Sequence, residues 1–206
     1  MDGRAWWLSD PDKRRVNYAL IMVMDYEECV AKYSGSFTKV RIGRDCLCRI
    51  EELARDIVAR KAGESHHRVD HNNEIKRFTT GLMGEAALEK LLGVKIIDWT
   101  VGDSSDYHRP DIPGYRVGIK TVERGKFPII FKENRYPQII CVRSDKVEDL
   151  VFVCGLATPD VLNECQSDGL IVDPNLRKRG TKTGFWGFHR LIPVNGIEDL
   201  AFYEIQ

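Results

Sequence analysis

An aspartate and a lysine stand nine residues apart in the stretch RPDIPGYRVGIKTV, residues 109–122. Asp111 follows a proline, and Lys120 lies in a short run of strand-forming residues. A carboxylate can hold a divalent cation, and a desolvated lysine beside the cation-bound water can position or deprotonate that water. These groups suit the hydrolysis of a phosphodiester bond. The alternative is a Pro/Gly turn in which Asp111 bonds the turn backbone and Lys120 extends its amine into solvent.

A second acidic feature lies in the segment EIKRFTTGLMGEAALEKLLG, residues 74–93, whose apolar spacing predicts a helix. At 100° per residue, Glu85 and Glu89 fall on the same face as its apolar side chains. A carboxylate on an apolar face is costly unless it is paired or bound to a metal. Either a glutamate pairs with an arginine at the edge of the core, or one of them points into a metal site over the sheet.

The elements that must position these residues are mixed in type. Helices are predicted over 49–63, 74–93 and, shorter, 158–165, where Thr158 is the expected cap and Pro159 lies in the first turn. Residues 18–33 could form either a helix or a buried strand. Strands are predicted over 36–43, 94–99, 115–122, 127–131, 138–143, 149–157, 185–194 and 200–205. Loops are predicted over 64–73, 100–114 and 173–184.

This order predicts an α/β or α+β fold with a mixed central sheet flanked by helices. The length of 206 residues suits one domain, with a mainly helical N-terminal part over 1–73 and a core over 74–206. No apolar run is long enough to span a bilayer, so we expect no membrane contact. Two of the six cysteines lie in apolar strand-like runs, which indicates a reducing, cytoplasmic setting without disulfides.

The sequence from the glutamate helix through the PD dipeptide to the strand bearing GIK resembles the PD-(D/E)XK nuclease superfamily, also called restriction-endonuclease-like. The resemblance covers residues 74 to about 157. It implies a Mg²⁺-dependent DNA endonuclease, with Mn²⁺ as a substitute and no small-molecule cofactor. Asp111, Glu85 and the backbone carbonyl of Ile119 would bind the metal, and Lys120 would be the catalytic lysine. Cutting both strands of a duplex needs two active sites, which a homodimer would provide.

The motif places a second acid two residues before the lysine, and this sequence has Gly118 there. The missing ligand would come from Glu85, from Glu123 or from water, with Asp106 as a further candidate. Glu85 is favoured, because strand alternation directs Glu123 away from Lys120 unless a bulge intervenes. The glycine also leaves two other classes open. One is a catalytically inactive nuclease-fold module that binds DNA or a protein, and the other is an inhibitor or assembly protein without nucleic-acid contact.

Lys and Arg together balance Asp and Glu, 31 against 31, so any DNA-binding surface must be local. The predicted loop 173–184 offers such a surface through four basic residues, Arg177, Lys178, Arg179 and Lys182. They suit contacts to backbone phosphates, and the alternative is a solvated loop. A zinc site is a further candidate, since His67 and His71 have one ligand spacing of such a site while Cys46 and Cys48 do not have the other. Trp186 could be either a core residue or a base-stacking platform.

Overall fold

The computed structural model describes residues 26–61, 71–100 and 110–205. Its α-helices are α1 Tyr26–Ala31, α2 Arg44–Lys61, α3 His71–Leu92, α4 Pro159–Glu164 and α5 Pro174–Arg179. Its strands are β1 Thr38–Arg41, β2 Gly118–Glu123, β3 Ile129–Phe131, β4 Gln138–Arg143, β5 Leu150–Ala157, β6 Gln166–Ser167 and β7 Lys182–Phe185. Short 3₁₀ helices cover Ser34–Ser36, Asp168–Leu170, Phe188–Arg190 and Ile197–Tyr203. The predicted mixture of helices and strands is confirmed.

The central sheet has four strands in the order β1-β5-β4-β2. β2 is parallel to β4, whereas the β4–β5 and β1–β5 pairs are antiparallel, so the sheet is mixed as predicted. β1 joins this sheet through β5, and residues before 74 therefore contribute a strand to it. β2 lies at the edge and leaves one side of its backbone unpaired by a strand of this sheet.

The two long helices, α2 and α3, pack on one face of this sheet. Ile139 of β4 and Val153 of β5 point to that face and pack in one core cluster with Met83 and Leu88 of α3. Gly84 of α3 lies directly against Thr121 of β2. A side chain at residue 84 would hold the helix away from the sheet, so this glycine sets how closely α3 approaches β2.

The opposite face of the sheet is covered by shorter elements. Ile140 and Val142 of β4 point to this face and pack with Tyr26 of α1, Leu162 of α4 and Phe185 of β7. β7 is the middle strand of a second, three-stranded sheet with the order β3-β7-β6. Alternation along β4 thus divides its side chains between two cores. In the described ranges, no helix has the length and apolar character needed to cross a bilayer.

The strand prediction for residues 94–99 is wrong. The backbone N–H groups of Ile96 and Ile97 donate to Glu89 Oε1 at 2.7 and 2.8 Å, so the Glu89 carboxylate takes the place of a partner strand there. The same two bonds explain how Glu89 is accommodated at the half-buried end of α3. Burial of Glu89 therefore requires neither the arginine partner nor the metal considered from the sequence.

The predictions for the C-terminal third are wrong in three places. Residues 185–194 and 200–205 contain 3₁₀ helices where strands are expected. The predicted loop 173–184 contains α5 and most of β7. Asp173 caps α5 by accepting the N–H of Asn175 at 2.8 Å, and Gly180 ends the helix at a φ of 71°. The sequence DPNLRKRG carries these capping signals, although its basic, turn-rich composition favours a loop.

Other local predictions concern helix ends and the histidine-containing loop. The expected cap at Thr158 is confirmed, since its Oγ1 accepts the N–H of Val161 at 3.3 Å. α3 begins at His71, three residues before its predicted start, and residues 64–70 of the predicted loop lie outside the described residues. His67 and Asp106 lie outside the described residues, and the zinc hypothesis that depended on His67 stays a prediction.

Candidate metal centre at the edge of the sheet

The turn PDIPG returns the Asp111 carboxylate to the free edge of β2. Gly118 N–H donates to Pro137 O at 2.9 Å, on the side of β4, so the next N–H along the strand faces the other way. Asp111 Oδ2 accepts this next N–H, that of Ile119, at 2.5 Å. In an extended strand the N–H and C=O of one residue point to the same side, so the Ile119 carbonyl also opens toward this edge.

Gly118 leaves space directly beside the Asp111 carboxylate. A Cβ on residue 118 would lie 3.4 Å from Asp111 Oδ2 and 3.5 Å from Gln138 Cγ. Both distances are ordinary van der Waals contacts, so the position could carry a Cβ without displacing its neighbours. The acid that the nuclease motif places at this position would therefore lie against Asp111.

Glu85 approaches Asp111 from α3. Its side chain is half-buried, and burial raises its pKa to about 8, with further contributions from the negative charges of Asp111 and Glu89. The pKa of Asp111 is also raised by desolvation, against the opposing effects of the Ile119 N–H and the Lys120 charge, although its side chain keeps solvent access. A partly desolvated carboxyl group whose pKa is raised by the charge of a second carboxylate is an arrangement that a divalent cation would stabilise.

Lys120 reaches this edge from the other side of the sheet. It is paired in register with Ile140, which faces the second core, whereas Ile119 is paired with Ile139 and packs toward α3. Burial lowers the pKa of Lys120 to about 8, and the positive charge of Lys182 lowers it further while Asp111 opposes the shift. Asp111 is thus electrostatically linked to Glu85 on one side and to Lys120 on the other.

Lys120 belongs to a group of cationic side chains at this edge. This cationic group consists of Arg77, Lys120, Arg179 and Lys182, defined by the lowering of the lysine pKa values by neighbouring positive charges. Lys182, from β7, lies over the ring of Phe131 with Nζ 5.3 Å from the ring centroid. Sequence reasoning missed Arg77, which bonds Glu74 Oε2 at 2.9 Å on α3. Its position near β7 depends on how α3 packs, and no local spacing indicates it.

The other predicted phosphate contacts differ in environment. Lys178 and Arg179 are exposed, as a phosphate-binding role requires. The Arg177 guanidinium donates to the backbone carbonyl of Ile171, so this side chain helps to hold the segment before α5. Arg177, Lys178 and Arg179 are thus all exposed, although Arg177 also has a structural hydrogen bond. Lys182 is half-buried and acts electrostatically on Lys120.

Glu123, the alternative acid, forms ion pairs with Lys76 at 2.6 Å and Lys126 at 2.5 Å. These hydrogen-bonded cations outweigh desolvation and lower its pKa. The pairing with Lys76 of α3 places Glu123 on the helix-covered face, as alternation from Lys120 predicts. Glu123 is therefore compensated by two lysines.

A sizeable cavity in the described part of the chain lies away from this edge. It has a volume of about 650 Å³ and is lined by Glu28, Cys29, Lys32, Tyr33, Trp186 and His189. The rings of Trp186 and His189 stack in its wall with centroids 5.5 Å apart. Trp186 is half-buried, between the two environments considered from the sequence. The lining of this cavity does not include the acids or the lysine at the edge of β2.

The oxygen atoms around Asp111 fit a magnesium ion better than a transition metal. Within the described residues, no three His, Cys, Asp or Glu side chains are grouped so that they could hold a metal ion. Two carboxylates, from Asp111 and Glu85, and the carbonyl of Ile119 are hard oxygen donors. Mg²⁺ commonly takes one or two carboxylates and keeps several waters, so this donor set suits it.

Comparison of the chain with protein-family models, curated proteins and solved structures finds no match. The resemblance to the PD-(D/E)XK superfamily therefore rests on the order of elements and on the residues quoted above.

Proposed function

We propose that this protein is a Mg²⁺-dependent DNA endonuclease that hydrolyses phosphodiester bonds and has a restriction-endonuclease-like core. One observation carries the proposal. The Asp111 carboxylate lies at the free edge of β2. Its charge raises the pKa of Glu85, which approaches from one face of the sheet, and opposes the lowering of the pKa of Lys120, which lies on the other face. An acid pair next to a desolvated lysine is the combination that metal-assisted hydrolysis needs.

Each residue has a separate task in this reaction. Asp111, Glu85 and the Ile119 carbonyl would hold the metal, for which Mn²⁺ would substitute. When bound, Mg²⁺ would supply Lewis-acid activation of the phosphate and of the attacking water. Lys120 orients the attacking water and, because its pKa is about 8, can accept a proton near neutral pH. The Ile119 N–H keeps the Asp111 carboxylate at the strand edge.

The cationic group beside Lys120 supports DNA as the substrate. Lys182 from β7 and Arg77 from α3 both act electrostatically on Lys120. Arg179 acts on Lys182, so positive charge gathers at this edge of the sheet. Such charges grip backbone phosphates without reading sequence. A homodimer would present two such sites to the two strands. The six cysteines are all free thiols, which supports a reducing, cytoplasmic location.

Nicking of supercoiled plasmid in Mg²⁺, in Mn²⁺ and in EDTA tests the proposal. Asp111→Asn and Lys120→Met should each reduce the nicking rate at least about 100-fold, because each removes a group from the reacting centre. Asp56→Asn and Lys39→Met change exposed residues of α2 and β1 and should nick as wild type does. Nicking that persists in EDTA, or in Asp111→Asn, would contradict the proposal.

Gly118 favours a second candidate, a catalytically inactive nuclease-fold module that binds DNA or a protein partner. The glycine removes an acid from the position facing Asp111. A gel-shift measurement in EDTA separates the candidates. Retention of DNA by a wild-type protein that does not nick supports the binding module, and the absence of both activities directs the search to a protein partner.

A further inference from the structure

Gln138 borders the space that Gly118 leaves beside Asp111. The two residues are directly paired across the parallel β2–β4 ladder. Gln138 Cγ lies 3.5 Å from the point where a Cβ of residue 118 would stand, and Asp111 Oδ2 lies 3.4 Å from the same point. The side chains of Gln138 and Asp111 therefore border the same space.

Hydrogen bonds among side-chain amides determine which amide atom of Gln138 faces Asn134. The backbone carbonyl of Phe131 can only accept, so the Asn134 atom 2.8 Å from it must be the donor Nδ2. The other amide atom of Asn134 is then the acceptor Oδ1. Gln138 donates to this oxygen through Nε2 at 3.3 Å. The Oε1 atom of Gln138 is consequently the one directed away from Asn134.

A second backbone group supports the same assignment. The N–H of Asn134 can only donate, and it bonds Asn163 at 3.1 Å, which identifies that atom as Oδ1. The same oxygen accepts from Asn134 Nδ2 at 3.2 Å. Asn134 is buried, so its amide is held between these partners. The orientation of Gln138 is thus determined by two backbone groups rather than by the choice of amide rotamer alone.

We propose that Gln138 Oε1 is a ligand for a hard divalent cation held at the Asp111 carboxylate, in the space that the absent side chain of Gly118 leaves. Amide oxygens bind hard cations as carboxylates do, but without charge. Asp111 supplies a negative charge at this space, and Glu85 adds a second at the strand edge once it has released its proton. A neutral amide oxygen therefore adds a ligand, beside the Ile119 carbonyl, without placing a further carboxylate next to Asp111 in the metal-free protein.

The inference rests on the proposed function only in its choice of a hard divalent cation, and it is tested on the full chain without DNA. Mn²⁺ binding is measured by titration calorimetry and by the decrease of the free Mn²⁺ signal in electron paramagnetic resonance. Gln138→Leu should weaken Mn²⁺ binding about tenfold or more, in the range found when one oxygen ligand or its support is removed. Gln166→Leu is the matched control, because Gln166 donates to Lys132 O and Asn163 O, away from Gly118.

A second variant covers the case in which Gln138→Leu does not fold. Gln138→Glu removes the hydrogen bond to Asn134 Oδ1, so its metal-free melting temperature should fall. The added carboxylate should nevertheless bind Mn²⁺ more tightly than wild type, which a purely structural role of Gln138 does not predict. The inference is overturned if wild type does not bind Mn²⁺, if Gln138→Leu and Gln166→Leu have equal effects, or if Gln138→Glu weakens binding.

These outcomes are distinguishable from failure of the proposed function. A protein that binds Mn²⁺ through Gln138 but does not nick plasmid supports this inference and contradicts the endonuclease assignment. A protein that nicks plasmid while Gln138→Leu binds Mn²⁺ as wild type does supports the endonuclease assignment and contradicts this inference.

Discussion

Gly84 of α3 approaches Thr121 of β2 so closely that a Cβ on residue 84 would lie 1.7 Å from Thr121 Oγ1. The next residue along the helix is Glu85, whose pKa is raised in part by the charge of Asp111. The separation of α3 from β2 therefore sets how near the helical carboxyl lies to the strand-edge carboxyl. Displacement of α3 from β2 by the width of a methyl group would move Glu85 away from Asp111.

Gly84→Ala should lower the free energy of unfolding by about 1–3 kcal/mol, because the new methyl group overlaps Thr121 and cannot be accommodated in place. Mn²⁺ affinity should fall with it. Gly81→Ala is the control, since a Cβ there meets nothing within 4 Å and alanine favours the same helix by about 0.5–1 kcal/mol. Urea unfolding measures the free energy of unfolding of the two variants. Equal stability of the two variants would mean that α3 can shift freely over β2.

Stability should depend on pH through Glu85. Its ordinary pKa of 4.5 is raised to about 8 in the folded protein, so between these values the folded state holds a proton that the unfolded state has released. The free energy of unfolding in metal-free buffer therefore falls as pH rises from about 5 to about 8. Glu85→Gln should remove about 1–2 kcal/mol of this fall, less than the whole pKa change implies because the side chain is half-buried.

Urea unfolding in EDTA near the two ends of this pH range measures the difference, and Glu52→Gln, an exposed change on α2, is the control. Added Mg²⁺ should stabilise wild type more at the alkaline end than at the acidic end, because binding requires the ionised carboxylate. If the free energy of unfolding depends on pH in the same way in wild type and Glu85→Gln, the pKa of Glu85 is not raised in the folded protein.

Restoring an acid at residue 118 should compensate for removal of the helical glutamate. Glu85→Ala should abolish plasmid nicking, whereas the double variant with Gly118→Glu should recover a measurable Mg²⁺-dependent rate, because the new carboxylate adjoins Asp111. Nicking rates of wild type, both single variants and the double variant are compared. Gly118→Ala separates the effect of the charge from that of the Cβ. Strong nicking by Glu85→Ala alone would show that Glu85 is not a metal ligand.

Neutralising basic residues should reveal which of them bind phosphate. Replacing Lys178 and Arg179 by alanine should weaken DNA binding and reduce the slope of log affinity against log salt by roughly 0.9 for each phosphate that is no longer neutralised. Arg177→Ala should instead mainly lower stability, because its guanidinium holds the Ile171 carbonyl. Fluorescence anisotropy with labelled duplex from low to moderate salt, beside thermal melting, distinguishes the two effects. An unchanged slope for Lys178 and Arg179 would indicate a solvated surface.

Local signals in the amino-acid sequence were enough to predict several elements. The apolar periodicity of α2 and α3, the cap at Thr158 and the apolar runs of β4 and β5 each specify a structure through residues a few positions apart. The PDIPG turn followed by a short strand likewise indicated Asp111 and Lys120 as a pair. These predictions are possible because propensity, capping and alternation act between neighbours in the chain.

Features that depend on distant partners emerged only from the folded chain. Residues 96 and 97 resemble a strand, but their N–H groups bond the Glu89 carboxylate. Arg77 joins the cationic group only because α3 packs beside β2. Gln138 faces Gly118 because β2 and β4 pair in parallel with one particular register. Register and packing are set by the burial of side chains from separate segments, and local sequence patterns do not contain that information.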